Sequence, residues 1–117
     1  MKLTEMQFAE AQPVDSYGEG FFRINGQRVE GGMLVTATGA SGWSGYEEAD
    51  VLLALAGDID VIFIGTGKEI SHLPAGLRSQ IEAAGMGVEV MNSPAACRTY
   101  NVLAAEGRRV ALAALPV

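Results

Sequence analysis

Only one cysteine, Cys97, occurs in 117 residues. A lone cysteine excludes an internal disulfide and every CxxC metal framework, and it suits a reducing compartment. His72 is the only histidine, so a zinc site would have to take its remaining ligands from carboxylates; no metal and no other cofactor is expected. Basic residues are also scarce, with eight Lys and Arg against fourteen Asp and Glu, for a net charge of -6. Nucleic-acid affinity rests on accumulated Lys and Arg, so a nucleic acid is not the expected partner. Charges break every apolar run well before the roughly 18 residues that a membrane helix requires, and no membrane insertion is expected. The start of the chain, Met1-Lys2-Leu3-Thr4-Glu5, has neither the apolar stretch of a secretory signal nor the Arg-rich, acid-poor character of a transit peptide. A bacterial cytoplasmic location is therefore expected.

What the chain does have is apolar content, 49%, enough to build one core, and residues 1–117 are read as a single domain. Fifteen glycines against four prolines fit short, tight connections between buried elements. Met1 to Tyr17 is weakly patterned, with Phe8 and Val14 as expected anchors and an edge strand as its expected contribution. Asn25-Gly26 lies between Gly20-Phe21-Phe22-Arg23-Ile24 and Gln27-Arg28-Val29-Glu30. That pairing predicts a two-residue hairpin, because both central residues of its turn need φ > 0. Met33 to Ala37 reads as a strand and Gly39 to Gly45 as a loop. Ser44-Gly45-Tyr46-Glu47 reads as a capping box that starts a helix near Gly45, ending at Gly57. Glu47, Glu48 and Asp50 at its start favour the helix dipole as a solvated face.

The stretch from Val61 to Asn101 carries most of the functional argument. Val61-Ile62-Phe63-Ile64 is an apolar strand broken by Gly65-Thr66-Gly67, and Val88-Glu89-Val90-Met91 is a second strand. Leu73-Pro74 predicts a helix start, with Leu77, Ile81 and Ala84 on one face and Gly85 at its end. Asn92-Ser93-Pro94 opens another helix, with Ser93 as N-cap and Pro94 as first helical residue; it ends at Gly107. Ala96, Thr99, Tyr100 and Leu103 form its inward stripe, Cys97 and Asn101 flank that stripe and Arg98 points away. Arg109 to Leu115 returns as a strand that, at a sheet edge, would support a homodimer. The element order is α/β. It sets two parallel strands side by side, so that Thr66 and Ser93 share one rim, where open α/β sheets bind ligands.

Several residues at that rim have a functional reading beside a plain one. Gly65-Thr66-Gly67-Lys68 could cradle an anion with freed amides and the Lys68 charge. The third glycine of a dinucleotide loop is replaced by Ile70, and no Walker pattern is present. The alternative is a tight strand-to-loop turn. The helix start at Ser93 offers the amides of Ala95, Ala96 and Cys97 to a carboxylate or phosphate, with Asn92, Asn101 and Thr66 close by; the alternative is that Ser93 caps the helix alone. Cys97 in a first turn would have a lowered thiol pKa and, with His72, would form a nucleophile pair; the alternatives are a small buried cysteine and a solvated histidine. Arg98 is an anion clamp or an exposed charge, and Trp43 anchors a partner or pins its own loop.

Gly65-Thr66-Gly67, Leu73-Pro74, Gly85-x-Gly87-Val88-Glu89-Val90-Met91 and Ala96-Cys97-Arg98-Thr99-Tyr100-Asn101 together resemble the small Mth-type domain family of unknown function. The resemblance covers nearly the whole chain. It implies a three-layer β/α sandwich around a mixed central sheet, to which the Asn25-Gly26 reading adds an N-terminal β-hairpin. Relatives in that family include a mitochondrial respiratory complex I assembly factor and the adipogenesis-associated Mth domain-containing protein. It implies no established catalytic residue; Gly65, Thr66 and Gly67 match its Gly-Thr-Gly turn, and Thr99, Tyr100 and Asn101 its Thr-aromatic-Asn segment. The expected function is a non-enzymatic binding or assembly-factor-like module with a protein partner. The alternative is a small-anion-binding protein or minor enzyme that uses Cys97 and His72, or Lys68 and Arg98, at the sheet edge.

Overall fold

Strand alternation decides which side chains enter which layer. The computed structural model describes residues 13–117, so the Phe8 anchor lies outside the described residues. β1 (Val14–Gly18), β2 (Phe21–Ile24) and β3 (Gln27–Glu30) form an antiparallel sheet in that order, and β1 is the expected edge strand. Asn25 (φ 53°) and Gly26 (φ 75°) make the hairpin turn with both residues left-handed, as its geometry demands.

β4 (Gly32–Thr36) and β5 (Gly39–Trp43) pair antiparallel from Gly32↔Trp43 to Thr36↔Gly39. The reading of Gly39 to Gly45 as a loop is thereby corrected. Gly39, Ala40, Ser41 and Gly42 are all exposed, so backbone pairing and the buried Trp43 at its end hold this strand and no apolar alternation announces it. The helix read from Gly45 to Gly57 is shorter and begins differently. Gly45–Glu48 is a 3-10 turn, α1 is Ala49–Leu53, and turns lead on to Gly57. The Ser44 side chain makes no cap bond, because its backbone (φ -79°, ψ 8°) is not the extended form that a capping residue needs. The Glu48 carboxylate, not that of Glu47, accepts from the Ser44 amide at 2.7 Å.

The remaining elements are β6 (Val61–Gly65), α2 (Leu77–Ala83), β7 (Gly87–Met91), α3 (Ser93–Ala105) and β8 (Val110–Ala114). α2 starts at Leu77, not at Leu73-Pro74, because Gly76 is left-handed (φ 84°) and ends the turn that Pro74 opens. The five-stranded sheet has the order β5-β4-β8-β6-β7, with β6 parallel to both β7 and β8 and β4 antiparallel to β8. β8 is therefore central. Both of its flanks are hydrogen-bonded within the chain, so it cannot pair with a second copy; β5 and β7 are the sheet's edges.

Phe63, Val35, Val110 and Leu112 face one side of this sheet, where they pack with Phe22 and Ile24 of the hairpin and with Ala96, Cys97 and Tyr100 of α3. Ile62, Ile64, Val88, Ala111 and Ala113 face the other side and pack with Leu52, Leu77 and Ile81. Three layers result. Each fully buried aliphatic side chain contributes about 1.5–3 kcal/mol. The alanines of β8 let helices approach a strand buried on both faces. Crossovers take the chain from β6 to β7 over one face and from β7 back past β6 to β8 over the other.

Candidate functional site

Those opposed crossovers make the carboxyl ends of β6 and β7 the switch point, the place where an α/β sheet usually opens a ligand crevice. Thr66 and Ser93 do meet there, but the crevice is filled by the chain's own hydrogen bonds. Asn92, not Ser93, is the N-cap of α3: its backbone is extended (φ -65°, ψ 159°) and its Oδ1 accepts from the Ala95 amide at 2.8 Å. The Ala96 amide is bonded to the Asn92 carbonyl. Ser93 becomes the first helical residue, and with Asn92 in the cap its hydroxyl is free to turn into the sheet.

Fully buried there, the Ser93 hydroxyl accepts from the Gly67 amide at 2.9 Å and donates to the Leu115 carbonyl at 2.6 Å. The Ser93 amide donates to the Gly67 carbonyl at 2.8 Å, the Leu115 amide to the Gly65 carbonyl at 2.9 Å and the Thr66 amide to the Met91 carbonyl at 2.9 Å. The Thr66 hydroxyl donates to the Glu69 carbonyl at 2.8 Å and accepts from the Ser71 amide at 3.0 Å. Gly65 has to be glycine, since a methyl there would stand 2.7 Å from both Cα and Oγ of Ser93. The Gly-Thr-Gly turn and the helix start are thus one knot that ties β6, β7 and β8 together.

The other predicted residues are spread over the molecule. Lys68 lies exposed just beyond the knot, and Arg98 is exposed on α3. Asn101, two turns along α3, holds β1: its Oδ1 accepts from the Val14 amide at 2.8 Å and its Nδ2 donates to the Val14 carbonyl at 2.9 Å. A side-chain amide thereby serves as the backbone partner of an edge strand. Cys97 is the fifth residue of α3, beyond the first turn, and burial pushes its thiol up to about 11 in spite of the nearby Arg98 charge. The direction is opposite to the expected lowering, because desolvation outweighs the Arg98 charge. His72 is exposed in the loop whose Leu73 packs in the opposite layer, so the sheet separates it from Cys97. Trp43 is buried; its indole N–H donates to the Glu48 carbonyl at 3.4 Å, and its ring meets Tyr46 edge-on at 5.8 Å. It pins its own segment to the core.

A second region carried no motif. At the opposite end of the sheet, a groove of about 1080 Å³ runs between the start of β8, the end of β4 and the end of α3. Tyr100 lines it, fully buried, and its hydroxyl has no hydrogen-bond partner among the described residues. Burial pushes that phenol up to about 12, so it stays protonated. The groove residues come from segments far apart in sequence, so no motif marked the place. Among the described residues, no three His, Cys, Asp or Glu side chains converge as a metal ion would need. No described helix is long and apolar enough to cross a membrane.

Fold and rim define a three-layer α/β domain whose switch point is closed from within. Residues 14–115 match the family described as protein of unknown function (DUF498/DUF598), and the chain belongs to it. It is 48% identical over 117 residues to an uncharacterized protein of Rhodobacter capsulatus, covering all of this chain and 94% of that protein. It is 29% identical over 123 residues to human NADH dehydrogenase [ubiquinone] 1 alpha subcomplex assembly factor 3, covering 99% of this chain and 67% of the human protein. A solved structure described as an outer membrane protein from Bartonella henselae superposes with a TM-score of 0.83 at 34% identity, covering 91% of this chain and 95% of that one. A Bordetella pertussis protein described as a Mth938-like domain superposes with a TM-score of 0.76 at 28% identity, covering 92% and 87%. The Mth-type resemblance and the sandwich it implied are both borne out.

Proposed function

We propose that this chain is a single-domain, non-enzymatic binding module with an assembly-factor-like role, working on a protein partner in the bacterial cytoplasm. One observation carries the reading: similarity to assembly factor 3 of NADH dehydrogenase runs along 99% of this chain, through the core and both rims. The closed switch point and the buried Cys97 agree with it, since they spend on architecture the groups that an enzyme of this shape would leave open. The contact surface is the loop beyond the knot. Lys68, Glu69, Ile70, Ser71 and His72 are exposed, and Ile70, at 64% exposure, is the most exposed large apolar side chain among the described residues.

Affinity purification of the tagged protein from its own cells, with the captured chains identified by mass spectrometry, tests this. A stoichiometric partner should co-purify with the wild type and with Val102→Asp on the exposed face of α3, and should be lost with Ile70→Asp. The reading fails if no stoichiometric partner appears, or if Ile70→Asp retains it.

A further inference from the structure

The groove at the amino-terminal ends of β6 and β8 has the composition of a ligand site. Pro13, Leu55, Ile59, Ala104 and Val110 give it a largely apolar lining, with a few polar groups among them. Small-molecule sites are built this way, an apolar wall for the body of the ligand and a few polar groups for its orientation. Two of those groups are unused. The Tyr100 hydroxyl is fully buried without a partner among the described residues, an arrangement that costs free energy unless something completes it. Arg108 is exposed and makes no ion pair among the described residues, whereas its neighbour Arg109 is held by Asp60 at 3.0 Å.

Charge decides the class of ligand. Asp58 also lines the groove, but its field acts on Arg109, which Asp60 already binds. The thin supply of polar partners is completed by Thr36 and Thr38, whose hydroxyls are bonded to each other at 3.0 Å. Arg108, whose charge acts on Asp60 from a distance, makes no ion pair among the described residues of a chain of net charge -6. A guanidinium and a phenol that donates are both suited to a carboxylate.

We propose that this groove binds a small amphiphilic carboxylate, its hydrocarbon body along the Leu55, Ile59 and Ala104 wall and its head group held by the Tyr100 hydroxyl and the Arg108 guanidinium. The site lies at the end of the sheet opposite the Ile70 loop, so a ligand here and a protein there can be bound together.

Titration of the uniformly 15N-labelled protein with octanoate, octylamine and octanol, followed by amide chemical shifts, tests the assignment. Octanoate should shift the amides of Thr36 to Thr38 and of Ala104 to Val110 saturably, and bind more tightly than the amine or the alcohol. Arg108→Gln, an exposed change that leaves the core untouched, should weaken octanoate about tenfold, the loss of one charge-assisted hydrogen bond. Tyr100→Phe should weaken it too without lowering Tm, because the deleted hydroxyl has no partner to lose. The proposal is overturned if octanoate does not saturate, if octylamine binds more tightly, if both variants bind octanoate as the wild type does, or if Tyr100→Phe clearly lowers Tm. Loss of the protein partner in the Ile70 experiment leaves these outcomes unchanged, so the two readings fail separately.

Discussion

The two ends of the central sheet treat their polar groups in opposite ways. At the carboxyl ends of β6, β7 and β8, the Gly65 to Gly67 turn, Ser93 and Leu115 bond one another so completely that the place where an α/β sheet normally receives a ligand is occupied by a serine hydroxyl. At the amino-terminal ends of β6 and β8, a fully buried phenol has no partner and Arg108 makes no ion pair among the described residues. The first end looks like a site in the sequence, because a glycine-rich turn beside a helix start is what anion-binding loops also use. The second has no sequence pattern. What separates them is the hydrogen-bond accounting: the glycine beside a helix start marks a close backbone approach, and the Tyr100 hydroxyl is left without a partner beside a groove.

That contrast can be broken by substitution at the closed rim, where the largest effects are expected. Gly65→Ala should cost about 4 kcal/mol of folding free energy, since a methyl 2.7 Å from a backbone atom forces two packed elements apart. The obstructing atom includes Ser93 Cα, so Ser93→Ala should not rescue it. Ser93→Ala alone should cost about 2 kcal/mol, because it leaves the Gly67 amide and the Leu115 carbonyl buried without this partner. Urea unfolding of both variants and of the double mutant measures all three. A Ser93→Ala protein of wild-type stability whose affinity for inorganic phosphate had changed would show the rim to be an open site and end the comparison.

How much of this was legible in advance follows from which forces were local. Asn25-Gly26 wrote its hairpin because the φ requirement belongs to two adjacent residues, and the short apolar runs at Val61, Val88 and Val110 wrote the parallel core because strands buried on both faces are apolar throughout. β5 was illegible since its exposed residues carry no apolar pattern, and the position of β8 at the centre of the sheet depends on pairings far apart in sequence. At the rim, Gly67 and Ser93 meet, but the cap is Asn92 and not Ser93. Asn92 and Ser93 are both good caps, and only the approach of Gly65 and Leu115 decides that the asparagine caps while the serine turns into the sheet. Asn101 was grouped with the rim by proximity in sequence, yet two helical turns carry it to β1.

Cys97 offers the smallest effect and the most direct sign. It lies between the two ends, on the buried face of α3, and burial pushes its thiol from an ordinary 9.0 up to about 11. In the unfolded chain the thiol gives up its proton nearer pH 9, so between pH 9 and 11 the unfolded state binds fewer protons than the native one. Stability from this group is complete below pH 9 and is lost as pH rises through that window, by up to about 2 kcal/mol. Tyr100, pushed up to about 12, adds a later loss above its ordinary value of 10.0. Thermal melts from pH 7 to 11 should therefore show a falling Tm, with a shallower slope in Cys97→Ala; the comparison is of slopes, because that variant also leaves a small cavity at every pH. A thiol activated at an open rim has the opposite linkage, its folded pKa lowered and its contribution gained as pH rises. A steeper alkaline fall in Cys97→Ala than in the wild type would therefore return Cys97 to the list of reactive groups and reopen the end of the sheet that Ser93 closes.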